Sequence, residues 1–114
     1  MGVLWGSSRA KAKGDEHLRA ARVDVNQKHI VNCLRKEGFT VQHLHNVGEG
    51  CPDILVGHKG LNILMEIKDG RKPESERKLT AQQVIFHKMW KGQVEVVISP
   101  EQAILAVLTH TNGK

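Results

Sequence analysis

Apolar residues recur at helical spacing early in the chain and predict its first regular element. The pattern covers residues 25–37, and Gly38 supplies the stop signal. Asp24 precedes this stretch and Gln27 follows three residues later, which is the pattern of a capping box. Residues 1–22 show no convincing period, so the predicted helix marks the beginning of regular structure.

Short apolar runs later in the chain are typical of β-strands. We expect strands over residues 39–45, 53–57, 61–67 and 93–98. Only the tight connection at residues 58–60 separates the second strand from the third, so these two are expected to form a hairpin. Strands that are apolar on both faces are usually central and covered on both sides.

Capping residues indicate two further helices. Thr80, with Gln83 in the capping-box position, predicts a helix that reaches about Trp90. A serine followed by a proline predicts the last helix, over residues 101–110. The order is therefore α-β-β-β-α-β-α, which predicts a small α/β sandwich with a central mixed sheet of about four strands flanked by helices.

Length and composition limit the class of molecule. A chain of 114 residues with 39% hydrophobic and 25% charged residues is typical of one globular domain. Aromatic residues make up only 4%, which argues against a single-strand binder built on base-stacking platforms. Two cysteines are too few for a disulfide framework or a thiolate zinc site. No apolar run approaches the length of a membrane span, so we expect a cytoplasmic protein.

Positive charge is concentrated at the N-terminus. The net charge is +5, and five basic residues lie within the first 22 positions: Arg9, Lys11, Lys13, Arg19 and Arg22. An uneven positive excess suits a polyanionic partner such as nucleic acid, although a solvated chain end explains it equally well. We expect a basic, flexible arm over residues 1–22, a folded domain over residues 23–110 and a tail over residues 111–114.

Two carboxylates and a lysine stand at the polar ends of the predicted hairpin strands. Asp53 opens the first strand, whereas Glu66 and Lys68 close the second. Side chains alternate along a strand, so Glu66 and Lys68 project from one face while Ile67 points into the core. The hairpin can bring Asp53 beside Glu66, where two repelling carboxylates need a cation. Mg2+ accepts such oxygen ligands and retains positions for water.

This arrangement suits phosphodiester hydrolysis. A bound divalent ion polarises a phosphate and lowers the pKa of a coordinated water. Lys68 would orient that water or help to deprotonate it, and its charge would offset the charge developing on the phosphate. Each residue alone also has a structural explanation, as a turn residue or as part of a surface ion pair. Their joint occurrence on adjacent strands favours a site.

The same residues resemble the motif of a known family. The segments at residues 50–53 (GCPD) and 65–68 (MEIK), with the later helix that carries Gln83, are similar to the PD-(D/E)xK nucleases. They look most like the compact VRR-NUC branch, which includes stand-alone phage nucleases similar to Holliday junction resolvases. The resemblance covers residues 24–106 and implies a restriction-endonuclease-like fold.

The resemblance also assigns roles to individual residues. It implies that Asp53 and Glu66 are metal ligands, that the carbonyl of Ile67 completes the metal shell, and that Lys68 is the catalytic lysine. The implied cofactor is Mg2+, with Mn2+ able to substitute, and no small-molecule cofactor is implied.

Two helical positions are secondary candidates. In the family an acidic residue on the first helix often reaches the metal, and Asp24 is the best match, although its capping role would by itself be worth about 1 kcal/mol. Gln83 is expected in the active site by resemblance, but it also fits the capping box with Thr80. His87 shares a helix face with Gln83, yet it stands where a tyrosine is often seen and does not carry over.

Basic residues outside the motif are candidates for contacts with the DNA backbone. Those in the loop after the catalytic strand are Arg71, Lys72, Arg77 and Lys78, and those in the N-terminal arm are Arg9, Lys11 and Lys13. Phosphate contacts of this kind position DNA without reading its sequence. A mobile, solvated loop is an equally good explanation for the first group, because Glu74 and Glu76 reduce its net charge.

The expected function is metal-dependent DNA cleavage that is selective for branched DNA such as a four-way junction. A homodimer is expected by resemblance and because symmetric incision of a two-fold junction needs two sites. The last helix offers an apolar surface for it, with Ile104, Leu105, Val107 and Leu108. Two alternatives stay open, namely a nicking or degradative nuclease on duplex or flap DNA, and a DNA-binding module without cleavage.

Overall fold

Four strands and three helices build the fold in the computed structural model, which describes residues 25–113. The strands are β1 (Thr40–His43), β2 (Ile54–His58), β3 (Leu61–Ile67) and β4 (Gln93–Val97). The helices are α1 (Val25–Lys36), α2 (Ala81–Met89) and α3 (Pro100–Asn112), and a single 3-10 turn covers Glu74–Glu76. The predicted α/β class, the order of the elements and the four-stranded sheet are confirmed.

The strands form one mixed sheet in the order β1-β2-β3-β4. The pairs β1–β2 and β2–β3 are antiparallel, whereas β3 and β4 run parallel with α2 in the connection between them. The predicted hairpin of β2 and β3 is confirmed, and it turns at Lys59 and Gly60, both in the left-handed region with φ of 50° and 80°. As expected from their apolar sequences, β2 and β3 are the two inner strands.

The core lies between one face of the sheet and the helices α1 and α3. Alternate residues of the inner strands point into it, including Ile67, as strand alternation predicted. The fully buried side chains from the strands are Ile54, Val56, Ile63 and Met65, and those from the helices are Ile30, Leu34, Ala103 and Val107. In contrast, α2 contributes no buried residue, and its Gln83 side chain hydrogen-bonds Glu66 and Lys68 at the end of β3.

Several element boundaries differ from the sequence prediction by one or two residues, and hydrogen bonds explain two of them. The first strand begins at Thr40, because the N–H of Phe39 still donates to the carbonyl of Leu34 in the last turn of α1 at 3.2 Å. The last helix continues to Asn112, two residues beyond its predicted end, and begins at a Ser99 cap whose hydroxyl accepts from the N–H of Gln102. Both differences arise from hydrogen bonds at helix ends, where sequence periodicity carries little information.

Some sequence predictions fall outside the described residues. These are the N-terminal arm with Arg9, Lys11 and Lys13, and the candidate ligand Asp24. Within residues 25–113, no helix is both long and apolar enough to cross a membrane.

Candidate active site

Asp53 and Glu66 meet at the open end of the β2–β3 hairpin. The strand register pairs Ile54 with Met65, so the next step along both strands sets Asp53 opposite Glu66. One carboxylate oxygen of Asp53, Oδ2, accepts a hydrogen bond from the backbone N–H of Ile67 at 2.8 Å. This bond fixes the Asp53 carboxylate at the end of β3, beside Glu66, as the predicted hairpin required.

Glu66 is a carboxyl group buried beside another carboxylate. The residue is only 3% exposed, and burial followed by the charge of Asp53 raises its pKa to about 8, although nearby Lys68 acts in the opposite direction. Its Oε1 atom is buried without a hydrogen-bond partner. A buried carboxylate oxygen that lacks a partner is costly, so the site is poorly satisfied by the protein's own groups.

Gln83 links the second carboxylate to the lysine. Its amide nitrogen donates to Oε2 of Glu66 at 3.1 Å, and its amide oxygen accepts from Nζ of Lys68 at 3.0 Å. Lys68 Nζ lies 3.8 Å from the same Oε2 atom, and the lysine side chain is largely buried. Strand alternation therefore sets Glu66 and Lys68 on one face, as predicted. Gln83 of α2 hydrogen-bonds both side chains.

Gln83 makes the hydrogen bonds of a helix cap and those to the charged pair at the same time. The Thr80 hydroxyl accepts from the backbone N–H of Gln83 at 3.2 Å, and Gln83 Oε1 accepts from the N–H of Thr80 at 2.9 Å, which completes a capping box. The same Oε1 atom also accepts from Lys68. One amide thus caps the helix and orients the charged pair, because its oxygen has two lone pairs and its nitrogen two hydrogens.

The carbonyl of Ile67 faces the same edge of the strand as Asp53. Within a strand, the N–H and C=O of one residue point to the same side, and the N–H of Ile67 points to Asp53. The register extended by two residues sets Pro52 opposite Ile67. Proline has no N–H, so residue 52 cannot donate a ladder hydrogen bond to this carbonyl.

These groups form a donor set that fits a hard divalent cation. Asp53 and Glu66 supply carboxylate oxygens, and the Ile67 carbonyl is a neutral third oxygen. The orphaned Oε1 of Glu66 and its raised pKa are what two carboxylates show when no cation neutralises them. Among residues 25–113, no group of three or more His, Cys, Asp and Glu side chains is arranged around a common point, so any metal here would need the carbonyl or water as a further ligand.

Several residues that were not predicted to act in the site border it. Asn26 of α1 donates from its amide to the carbonyl of Lys68 at 2.9 Å and so ties the first helix to the end of β3. The thiol of Cys51 has a raised pKa, first from burial and then from the charges of Glu66 and Asp53. His87 has a pKa lowered by burial and then by Lys68, and its Nε2 atom is buried without a partner. Helical spacing from Gln83 was the only signal in the sequence for His87.

The basic loop after β3 is held by its own hydrogen bonds. Arg71 donates to both carboxylate oxygens of Asp69, at 3.0 and 2.9 Å, which lowers the Asp69 pKa to about 2. Arg77 donates through Nε to the carbonyl of Lys72 at 3.0 Å. Of the four basic residues predicted to contact DNA, Arg71 and Arg77 therefore also shape the loop. Lys72 and Lys78 are exposed.

Comparison with known proteins assigns the chain to no family: no family model, curated protein or solved structure matches it. The chemistry of the site must therefore be argued from its own geometry.

Proposed function

We propose that the protein is a magnesium-dependent DNA endonuclease whose active site comprises Asp53, Glu66, Lys68 and Gln83, with the carbonyl of Ile67 as a further metal ligand. The observation that carries the proposal is the buried Glu66 carboxyl. It lies beside Asp53, has one unpartnered oxygen and is joined to Lys68 by the amide of Gln83. A purely structural role does not account for it, because burying an unsatisfied carboxyl next to another carboxylate lowers stability.

The metal would be held by Asp53, Glu66 and the Ile67 carbonyl. When bound, Mg2+ supplies a Lewis acid that polarises the scissile phosphate and activates a water molecule, and Mn2+ offers the same chemistry. The N–H of Ile67 orients Asp53 through Oδ2, and the other oxygen, Oδ1, would bind the metal. Residues of one hairpin thus hold both carboxylates in a fixed relation before substrate arrives.

Lys68 supplies positive charge next to the carboxylates. Its ammonium group is positioned by Gln83 and is in reach of the same space that Glu66 faces. There it can donate hydrogen bonds to a non-bridging phosphate oxygen or to the attacking water, and it offsets the negative charge that develops on the phosphate. Hydrolysis of this kind leaves a 5′-phosphate and a 3′-hydroxyl.

DNA is the proposed substrate, and branched DNA such as a four-way junction is the proposed preference. The basic loop follows β3 directly in the sequence, and its exposed Lys72 and Lys78 would contact phosphates of the bound DNA. A homodimer is proposed because incision of a two-fold symmetric junction needs two sites. Leu105 and Leu108 remain exposed on α3 and are available for such an interface, whereas Val107 is buried in the core. A nuclease of this kind would act in the cytoplasm, where phage or bacterial DNA is found.

A panel of labelled DNA substrates tests the proposal. We expect cleavage of a four-way junction in the presence of Mg2+ or Mn2+, slower cleavage of linear duplex, flap and single-stranded DNA, and no cleavage in EDTA. If flap or duplex DNA is cleaved faster than the junction, the protein would instead be a nicking or degradative nuclease. Tight binding without cleavage under any metal condition would instead support a DNA-binding module.

A further inference from the structure

A groove of about 520 Å³ follows the outer face of α2. It is lined by Glu49, Gln82, Ile85, Phe86, Met89 and Trp90. Ile85 and Met89 are 60% and 68% exposed, and α2 contributes no buried residue. This apolar face therefore has no covering element within residues 25–113.

Two stacked aromatic rings form one end of the groove. The ring centroids of Phe86 and Trp90 are 5.2 Å apart, and the ring planes are within 13° of parallel. Trp90 is 47% exposed, so part of the indole remains open to solvent at the end of the stack. Nucleobases stack on aromatic faces of this kind whatever their sequence, because every base has a π-face.

Polar groups at the other end suit the edges of a base. Glu49 and Gln82 are exposed and offer a carboxylate acceptor and an amide that both donates and accepts. Glu49 lies in the left-handed region with φ of 54°, between Gly48 and Gly50, and backbone strain of this kind concentrates at ligand sites. The charge of Glu49 disfavours a phosphate here, whereas exocyclic amino groups of bases donate to carboxylates.

The groove and the candidate active site share one helix and one loop. Gln82 precedes Gln83 in α2, and Glu49 lies four residues before Asp53. The loop and the helix are in contact at Gly50, where an added Cβ would lie 2.4 Å from the carbonyl oxygen of Gln82. The groove and the catalytic cluster therefore lie on different faces of the same helix, with Gln82 on one face and Gln83 on the other.

We infer that this groove, the α2 groove, binds an unpaired base of the DNA strand that the active site cleaves, with the base stacked on Trp90 and its polar edge directed to Gln82 and Glu49. The inference rests on the proposed nuclease function and adds the feature that the enzyme would recognise, an unpaired nucleotide near the cut. A partner protein or a second copy could also cover apolar side chains. The flat aromatic stack, the hydrogen-bonding groups of Gln82 and Glu49, and the shared helix favour a base.

Tryptophan fluorescence and abasic DNA test the inference. Trp5→Phe leaves Trp90 as the sole tryptophan of the chain. In metal-free buffer, an oligonucleotide with an unpaired base next to a duplex should quench Trp90 emission, and the same DNA with an abasic site at that position should bind about 10-fold more weakly. Trp90→Ala should remove this preference for the base-bearing DNA, whereas Trp90→Phe, which keeps a ring, should retain most of it. Circular dichroism melting of each variant checks that the fold is intact.

The possible outcomes separate this inference from the proposed function. Equal affinity of the protein for base-bearing and abasic DNA would overturn the inference, even if Glu66-dependent cleavage persists. The inference would also be overturned if the protein self-associates through Trp90 in sedimentation experiments while Trp90→Ala binds DNA with unchanged affinity. That result would identify the α2 groove as a protein interface. Absence of both cleavage and DNA binding would instead contradict the proposed function.

Discussion

Glu66 is the residue at which the requirements of folding and chemistry conflict most clearly. Strand β3 is otherwise apolar over its buried length, yet its penultimate residue is Glu66, which is 3% exposed and lies opposite Asp53. Within the protein, Gln83 and Lys68 satisfy one of its oxygens and leave the other without a partner. Such an arrangement is costly while both carboxyl groups are ionised, and either a proton on Glu66 or a bound cation relieves the cost.

The first prediction concerns the pH dependence of stability in metal-free protein. The folded state keeps its proton on Glu66 up to pH about 8, whereas the unfolded chain releases it near the ordinary value of 4.5. The folded state therefore binds more protons between these values, and stability falls as the pH rises through this window. The contribution of Glu66 to the free energy of unfolding should decrease by more than about 1 kcal/mol, because one unit of pKa corresponds to about 1.4 kcal/mol.

Glu66→Gln is the control for this measurement. His43 and His87 have lowered pKa values, so their contributions increase with pH around 6.5 and oppose that of Glu66. The difference in unfolding free energy between wild type and Glu66→Gln, measured by urea denaturation in EDTA, removes these shared contributions. A difference that does not change between pH about 5 and about 8 would contradict the raised pKa of Glu66.

The second prediction separates the two roles of Gln83. Gln83→Ala removes the hydrogen bonds to both Glu66 and Lys68, and the rate of DNA cleavage should fall about 10- to 100-fold because the charged pair loses its fixed geometry. Thr80→Ala removes only the hydroxyl half of the capping box and should cost about 1 kcal/mol of stability with little change in cleavage rate. Equal cleavage rates in the two variants would reduce Gln83 to a helix cap.

At the residue scale, the sequence predicted those placements that follow from alternation and register. Strand alternation puts Glu66 and Lys68 on one face. The short hairpin turn fixes the register that sets Asp53 opposite Glu66. The sequence could not separate the cap from the site at Gln83, since one amide has enough hydrogen-bonding positions for both. It also gave no sign of the bond from Asn26 to Lys68, which depends on how α1 docks against the sheet.

At the scale of elements, the helices and strands were predictable in order but not in how firmly each is held. Apolar periodicity and caps predicted all three helices. The same signals do not show that α1 and α3 contribute side chains to the core, whereas α2 contributes none and has an exposed apolar face. That difference depends on tertiary contacts at the Gly48–Gly50 loop and at Gln83, which the local sequence pattern does not encode.

The third prediction tests how the loop positions α2. Gly50→Ala would place a Cβ 2.4 Å from the Gln82 carbonyl oxygen, so the helix must shift away from the loop and carry Gln83 with it. Gly48→Ala is the matched control, because Gly48 has a similar positive φ of 82° but open space around it. Both variants should lose about 1–2 kcal/mol of stability from the left-handed backbone, and Gly50→Ala should lose more.

Cleavage rates distinguish the two glycine variants further. Gly50→Ala should slow cleavage, because displacement of α2 disturbs the Gln83 bridge, whereas Gly48→Ala should cleave at nearly the wild-type rate. Thermal melts and single-turnover cleavage of the same preparations provide both quantities. If the two variants proved equal in both measurements, the close contact between Gly50 and α2 would have no functional consequence.

At the scale of the whole molecule, metal binding should be coupled to folding. A ligand that binds only the folded state stabilises it by about 2.7 kcal/mol at a concentration 100 times its Kd. The fourth prediction is that added Mg2+ raises the melting temperature of the wild-type protein in a concentration-dependent manner. Glu66→Gln should show little or no increase, since it lacks one of the two carboxylates. An equal increase in both proteins would assign the metal effect to another part of the molecule.

Substrate preference and assembly belong to the whole molecule and could not be predicted from residue patterns. The geometry of Asp53, Glu66 and Lys68 supports the proposed phosphodiester hydrolysis. The proposed preference for branched DNA would depend on surfaces outside that cluster. The exposed Leu105 and the α2 groove are two surfaces of this kind. What binds to them depends on molecules other than this chain.

The most direct test of the central claim is single-turnover cleavage of labelled DNA by wild type and Glu66→Ala, purified in parallel and assayed in the same Mg2+ buffer. Melting curves would first show that both proteins are folded. We predict Mg2+-dependent cleavage by the wild type and a decrease of about 10²- to 10³-fold or more in Glu66→Ala, in the range observed when a group that stabilises a transition state is removed. Cleavage by Glu66→Ala at the wild-type rate would contradict the assignment of this site.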